Sequence, residues 1–165
     1  MLDSMTGAIR DHIVLPVHAA ETAALWAVHC HIFDATDVTP RLALLSPHKR
    51  CGKTTLLGVL SRLVPRPLLA ANVTAAAVFR TVEAARPVLL ADEADNFLGR
   101  DEMLGILNRG HRRGGRVIRT VGDDREPRQF STFAPAALAA IGRLPPTLQG
   151  RSIAVLARAL PIPSA

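Results

Sequence analysis

Aromatic side chains are nearly missing from this chain: tyrosine is absent, Trp26 is the single tryptophan, and phenylalanine occurs five times. A surface that stacks nucleic-acid bases needs a row of aromatic platforms. Phe130 and Phe133, the two nearest a basic stretch, read more naturally as core. Cysteine is scarce as well. Cys30 and Cys51 are too few and too oddly placed for a disulfide framework. No run of eighteen apolar residues occurs, although 48% of the chain is hydrophobic, so no membrane-spanning helix is expected. The N-terminus lacks the basic-then-apolar pattern of a secretory leader. The expectation is a soluble, cytoplasmic protein with no membrane partner.

What is abundant is arginine. Lys49 and Lys53 are the only lysines among the 20 Lys and Arg residues, which exceed the 14 Asp and Glu by six. Placement is uneven: Arg109, Arg112, Arg113, Arg116, Arg119, Arg125 and Arg128 crowd one stretch against Asp123, Asp124 and Glu126. That local excess is most of the surplus of the whole chain and suggests a surface facing a polyanion.

A chain of 165 residues fits one domain, able to bury roughly 70% of the surface its unfolded form exposes. No repeat or linker interrupts it. Residues 17–34 show a helical recurrence at Leu25, Val28, Ile32 and Phe33. LALLS, 42–46, is a short apolar strand, and a helix is expected from near Lys53 until Pro65 and Pro67 stop it. PLLAA, 67–71, reads as a second strand. Thr74 reads as the N-cap of a helix with Val78, Phe79 and Val82 on one face, ending at Pro87. VLLADEAD, 88–95, is a buried strand running into carboxylates, followed by a helix through FLGRDEMLGILNRG. VIRTV, 117–121, a GDD turn and an extended piece to Phe130 make a hairpin. AALAAI, 136–141, and SIAVLA, 152–157, complete the strands. Strands alternating with helices imply an α/β fold, a three-layer α/β/α sandwich around a mainly parallel sheet with the hairpin inserted. Its site is expected at the carboxyl ends of the strands.

Two motifs fall at such ends. SPHKRCGKTT matches the phosphate-loop pattern G-x-x-x-x-G-K-[ST] except that Pro47 stands at the first glycine. Successive amides of such a loop turn toward phosphates at a helix N-terminus, whose partial positive charge adds to the attraction. Pro47, His48, Lys49, Arg50, Cys51, Gly52, Lys53, Thr54 and Thr55 form the expected nucleotide-binding run. Gly52 allows close approach, Lys53 supplies a cation to the β and γ phosphates, and Thr54 is a ligand for Mg²⁺. The proline removes one amide and fixes φ, but the amides nearest the phosphates belong to later residues. Some forty residues on, Asp92 and Glu93 end an apolar strand. Asp92 is the second expected Mg²⁺ ligand and Glu93 the residue beside the attacking water. Asp95 reads as a helix-start carboxylate favoured by the dipole. His29, Cys30 and His31 cannot easily converge on one metal, because adjacent helical residues point about 100° apart.

SPHKRCGKTTLL, LLADEADNFL, GILNRGHRRGG, VIRTVGDD, FSTFAPAALAAIG and LPPTLQGRSIAVL together resemble the P-loop ATPase domain of bacterial and phage-borne proteins described as DNA primase/helicase-associated. The resemblance runs from about Val14 to Leu156. It implies an ATP-binding core similar to AAA+ and superfamily 3 helicase modules, with ATP and Mg²⁺ as cofactors and a homo-oligomer carrying its sites at subunit interfaces. It makes 1–165 a single domain, with an N-terminal helical segment over 1–40 and a nucleotide-binding core over 41–160. Arg151, after the fourth strand, stands where AAA+ proteins carry the arginine finger that reaches a neighbour's nucleotide. A surface arginine at an edge strand is the other reading. Asn108 either orients water or the γ phosphate or simply terminates its helix before Gly110. The hairpin falls where hexameric helicases place a pore loop. Arg112, Arg113, Arg116 and Arg119 would then contact DNA phosphates without regard to sequence; a solvated basic face or a subunit contact explains them equally.

The expected function is Mg²⁺-dependent ATP binding and hydrolysis coupled to DNA remodelling of helicase or primase type, with Lys53, Glu93 and Arg151 catalytic. The alternative is a nucleotide-binding or assembly module without turnover of its own, or an accessory fragment of a larger replication protein. AAA+ relatives continue into a helical lid, which this chain, reaching PIPSA, is expected to lack.

Overall fold

RLALLS, residues 41–46, is buried at all six positions, and a strand buried on both faces requires a layer of helices on each. The computed structural model describes residues 1–99, 101–121 and 125–157. Along the chain run α1 (Leu2–Arg10), α2 (Ala19–Ile32), β1 (Arg41–Ser46), α3 (Lys53–Leu63), β2 (Pro67–Ala70), α4 (Ala75–Ala85) and β3 (Val88–Ala91). Then follow α5 (Asp101–Arg109), β4 (Arg116–Val121), β5 (Glu126–Ser131), β6 (Ala136–Ile141), α6 (Pro146–Gln149) and β7 (Ser152–Leu156). Five strands form a wholly parallel sheet in the order β2-β3-β6-β1-β7. The fold is α/β with helices on both faces. Among the described residues no helix is long and apolar enough to cross a membrane.

Successive strand residues point to opposite faces, which divides the core in two. Leu42, Leu44, Leu90 and Val155 meet α2 and α3 on one side. Ala43, Leu45, Leu89 and Leu138 meet α4, α5 and Phe130 on the other. Each buried leucine contributes about 1.5–3 kcal/mol relative to an exposed one. β6 is mostly alanine, and its small side chains let the flanking helices come close to the centre of the sheet.

The alanines of α2 serve the same purpose and overturn the expected face of that helix. Ala20, Ala23, Ala24, Trp26, Ala27 and Cys30 are buried, whereas Leu25 and Ile32 are each 55% exposed. A helix laid tightly on a sheet needs small residues at the contact, so the larger aliphatics are turned outward. Trp26 fits inside because its indole N–H donates to the Pro40 carbonyl at 2.9 Å. Phe33 lies past the helix in a 3-10 turn and meets the Phe133 ring at 5.7 Å.

Elsewhere the helices start and stop for local reasons. The Thr74 hydroxyl accepts the Ala77 amide and caps α4. The helix expected through residues 97–110 is instead a 3-10 turn at Ala94–Asn96 followed by α5 from Asp101. α1 falls within the expected helical segment over 1–40, with Leu2, Met5 and Ile9 turned to the core, and the four-residue α6 is too short to show a period. The expected Gly122–Asp124 turn and the tail after Ala157 lie outside the described residues. The hairpin is real, with β4 and β5 antiparallel and separate from the main sheet. Phe130 of β5 sits 4.8 Å from the Phe79 ring of α4.

Backbone geometry singles out arginine. Arg66 (φ 47°) and Arg86 (φ 45°), just ahead of β2 and β3, are left-handed, a conformation costing a residue with a Cβ about 1–2 kcal/mol. Arg41, at the start of β1, is 1% exposed, with no carboxylate partner among the described residues. Its guanidinium donates to the Ala134 carbonyl and, at 2.6 Å, to that of Leu107 near the end of α5. Burial, with the charge of Arg151 adding to it, lowers its pKa to about 9. Gly110 makes room for this strut: a Cβ there would stand 2.1 Å from the Thr132 carbonyl oxygen and 2.8 Å from Arg41 Nη2.

Candidate functional site

The carboxyl ends of β1, β3 and β6 surround a pocket of about 450 Å³, within the ~300–1,000 Å³ range of small-molecule clefts. The turn out of β1 explains why a proline is tolerated. The Ser46 hydroxyl donates to the His48 carbonyl at 2.6 Å and the Gly142 amide donates to the Ser46 carbonyl at 2.9 Å. The left-handed residues lie further on, at Arg50 (φ 61°) and Gly52 (φ 79°). The chain therefore turns after Pro47, where the fixed φ of proline does no harm. Gly52 is the N-cap of α3, and the Ile13 side chain lies 2.5 Å from where its Cβ would be.

Lys53 opens α3 and is 9% exposed. Its ammonium donates to the Ser46 hydroxyl and, at 3.4 Å, to the His48 carbonyl. No carboxylate neutralises it among the described residues. The end of β3 supplies the acidic wall. The Thr54 hydroxyl donates to Asp92 Oδ2 at 2.7 Å, and Asp92 Oδ1 accepts the Glu93 amide at 2.9 Å. Glu93 is left-handed (φ 49°) and its Oε2 accepts from Asn96 Nδ2 at 3.1 Å.

Lys49 through Thr55, Asp92 and Glu93 thus line one cavity. Pro47 and His48 do not line it; they shape the loop. Asp95, Asn96 and Ile141 line it too, beyond what the motifs indicate. Asp95 does more than start a helix, since its carboxylate accepts the Ile141 amide at 3.2 Å and ties the acidic wall to β6. Only the contact between β3 and β6 could reveal these three.

Chemically, the pocket joins an unneutralised ammonium and a helix N-terminus to a hydroxyl–carboxylate pair. The first two suit phosphate. The pair offers hard oxygen ligands, and Mg²⁺ is commonly held by one or two carboxylates plus substrate phosphates rather than by an all-protein cage. Among the described residues no group of three or more His, Cys, Asp or Glu is placed to hold a metal, so a phosphate-assisted cation fits better than a structural one.

Arg151 and Asn108 lie elsewhere. The Arg151 carbonyl accepts the Arg41 amide, at the far end of β1 from Ser46, about 17 Å away at the usual rise per residue. Its guanidinium donates to the Thr147 carbonyl and reaches Asn108 Oδ1 at 3.5 Å, while Asn108 Nδ2 donates to Thr147 Oγ1 at 3.0 Å. Neither touches the pocket of its own chain. His111 is close by, its Nδ1 2.6 Å from the Asn108 carbonyl. Burial pushes its pKa down, a shift the Asn108 contact opposes and the charges of Arg151, Arg41 and Arg112 reinforce.

The four arginines expected on nucleic acid do not share a face. Arg113 pairs with Asp37 at 3.3 Å and donates to the Asp34 and Thr36 carbonyls. Arg119 pairs with Glu102 at 2.6 Å and stacks over the Phe79 ring. Arg116 reaches Gln129 at 3.3 Å on the outer face of the hairpin. Arg112 is exposed at the isolated bridge between its backbone and Val38.

No family model matches this chain, and no curated protein matches its sequence.

Proposed function

We propose that the chain binds a nucleoside triphosphate, ATP in the first instance, with Mg²⁺ in this pocket and hydrolyses it in an assembled state coupled to DNA. The convergence of Lys53, Thr54, Asp92 and Glu93 on one cavity carries the reading. The loop amides and Lys53 orient the phosphates, and Thr54 with Asp92 would hold the metal. When bound, Mg²⁺ draws charge from the β and γ phosphate oxygens. Glu93 accepts the proton of the attacking water as that water adds to the γ phosphorus and the β–γ bridge breaks. Arg151, remote from its own pocket, serves the pocket of a second copy. The resemblance to primase/helicase-associated P-loop ATPases agrees with this assignment, and the two free, buried cysteines suit a reducing cytoplasm.

One observation favours a second reading, nucleotide binding without turnover. Glu93 is engaged by Asn96. Measuring affinity and turnover separately decides between them. Glu93→Gln should leave ATP affinity near wild type and reduce DNA-stimulated hydrolysis by ~10²–10⁴ fold, the usual share of a general base. If wild type binds ATP but turns none over as an oligomer with DNA, the module reading replaces hydrolysis. If ATP does not bind at all, both fail.

A further inference from the structure

Arg66 and Arg86 both lie at the end of the sheet opposite the pocket, Arg66 directly before β2 and Arg86 separated from β3 by Pro87. Each is the left-handed residue just ahead of a strand, β2 and β3 being neighbours in register Pro67↔Val88. Glycine is the residue this geometry favours, most of all after a helix such as α4. Two arginines in its place mean that the side chains are needed.

Internal contacts account for little of that need. Asp34 lies 3.8 Å from Arg66 and 3.5 Å from Arg86. These are long pairs between half-exposed side chains, which solvent screens. Arg66 Nε donates to the Arg86 carbonyl at 2.9 Å, using one of its five donors. Arg113 reaches the same spot through the Asp34 carbonyl, and Arg112 borders a groove with Arg113 and Asp37. Arg66, Arg86 and Arg113 thus gather around the carboxylates of Asp34 and Asp37 with Arg112 beside them, four positive charges against two negative ones on a small surface. Helix C-termini favour cations at this end, but that effect requires neither the left-handed backbone nor convergence on one aspartate.

We propose that this end of the sheet binds the sugar-phosphate backbone of single-stranded nucleic acid, with Arg66 and Arg86 each contacting a phosphate. A cluster of guanidinium groups without a base-stacking platform suits phosphates read without regard to sequence. The proposal rests on the DNA half of the function above for the class of partner. It moves the contact from the hairpin to the opposite pole from the nucleotide.

Fluorescence anisotropy of a labelled single-stranded oligodeoxynucleotide with the full chain, across a salt series, tests it. Arg66→Gly with Arg86→Gly removes two charges while keeping the backbone geometry that glycine prefers, so the fold and ATP affinity should persist. Binding should weaken roughly tenfold near ~0.15 M salt, and the slope of log K against log salt should shrink by about 1.4, two phosphates at ~0.7 each. Arg116→Ala with Arg128→Ala on the hairpin should bind as wild type. If the hairpin pair carries the loss and the glycine pair none, this surface is refuted while DNA binding stands. Equal competition by polyglutamate would make the partner an acidic protein and overturn the proposal. Absence of any oligonucleotide binding by wild type would sink the DNA half of the function with it.

Discussion

Replacing Lys53 with methionine separates the role of this residue in binding from any role in folding, because the two respond with opposite sign. The ammonium is almost fully buried and has no carboxylate among the described residues; its donors go to Ser46 Oγ and the His48 carbonyl. Methionine keeps the aliphatic stem and removes a mostly buried charge that no carboxylate offsets, so little folding energy should be lost with it. The melting temperature without ligand should therefore hold or rise. With nucleotide the outcome reverses. A ligand at ~100 times its dissociation constant stabilises wild type by about 2.7 kcal/mol, roughly 5–10 °C for a chain of this size. Charge-assisted hydrogen bonds contribute about 1.5–3 kcal/mol each, so one lost contact weakens binding by ~10–150 fold. At the same ligand concentration the stabilisation falls to about 1.4 kcal/mol or less. Thermal scans with and without Mg²⁺-ATP measure both quantities. An undiminished ligand shift in Lys53→Met would show that the lysine does not contact phosphate. A drop of several degrees without ligand would show that it braces the loop instead.

Glycine substitutions on and beside α5 test the Arg41 strut. Gly110→Ala forces a Cβ against the Thr132 carbonyl and Arg41 Nη2 and should cost at least about 1–3 kcal/mol in urea unfolding, whereas Gly105→Ala, with nothing within 4 Å, should stabilise by about 0.5–1 kcal/mol. Equal effects would refute the close approach. The pH dependence of unfolding follows from His111 and His29, both lowered by burial first. Below the unfolded value near 6.5 the unfolded chain binds more protons than the folded one, so stability is complete at neutral pH and declines as pH falls through that value toward the lower folded ones. His111→Gln should flatten the decline below about pH 6.5 in chemical denaturation; an unchanged profile would remove His111 as a cause.

The loop between β1 and α3 was legible because its geometry is local. Gly52, Lys53 and Thr54 are consecutive, and the turn that admits Pro47 is completed by Arg50 and Gly52 within the same loop. Asp92 and Glu93 were legible for a related reason: an apolar strand followed by carboxylates delivers them to the edge where parallel strands end. Strand positions and the two-sided burial of β1 likewise follow from composition over a few residues, as does the Thr74 cap.

Tertiary structure alone decided which residues from different elements meet. The burial of α2 depended on how closely its backbone could approach the sheet, so alanines displaced Leu25 and Ile32 from the contact. Asp95 joined the acidic wall through the Ile141 amide, and Arg151 was carried to the far end of β1. The crowded arginines dispersed because β4 alternates its faces, sending Arg119 to Glu102 and leaving Arg116 outside. Local sequence determines conformation and charge over a turn or a strand; distance between elements is set by the packing of the side chains between them, which no single stretch contains.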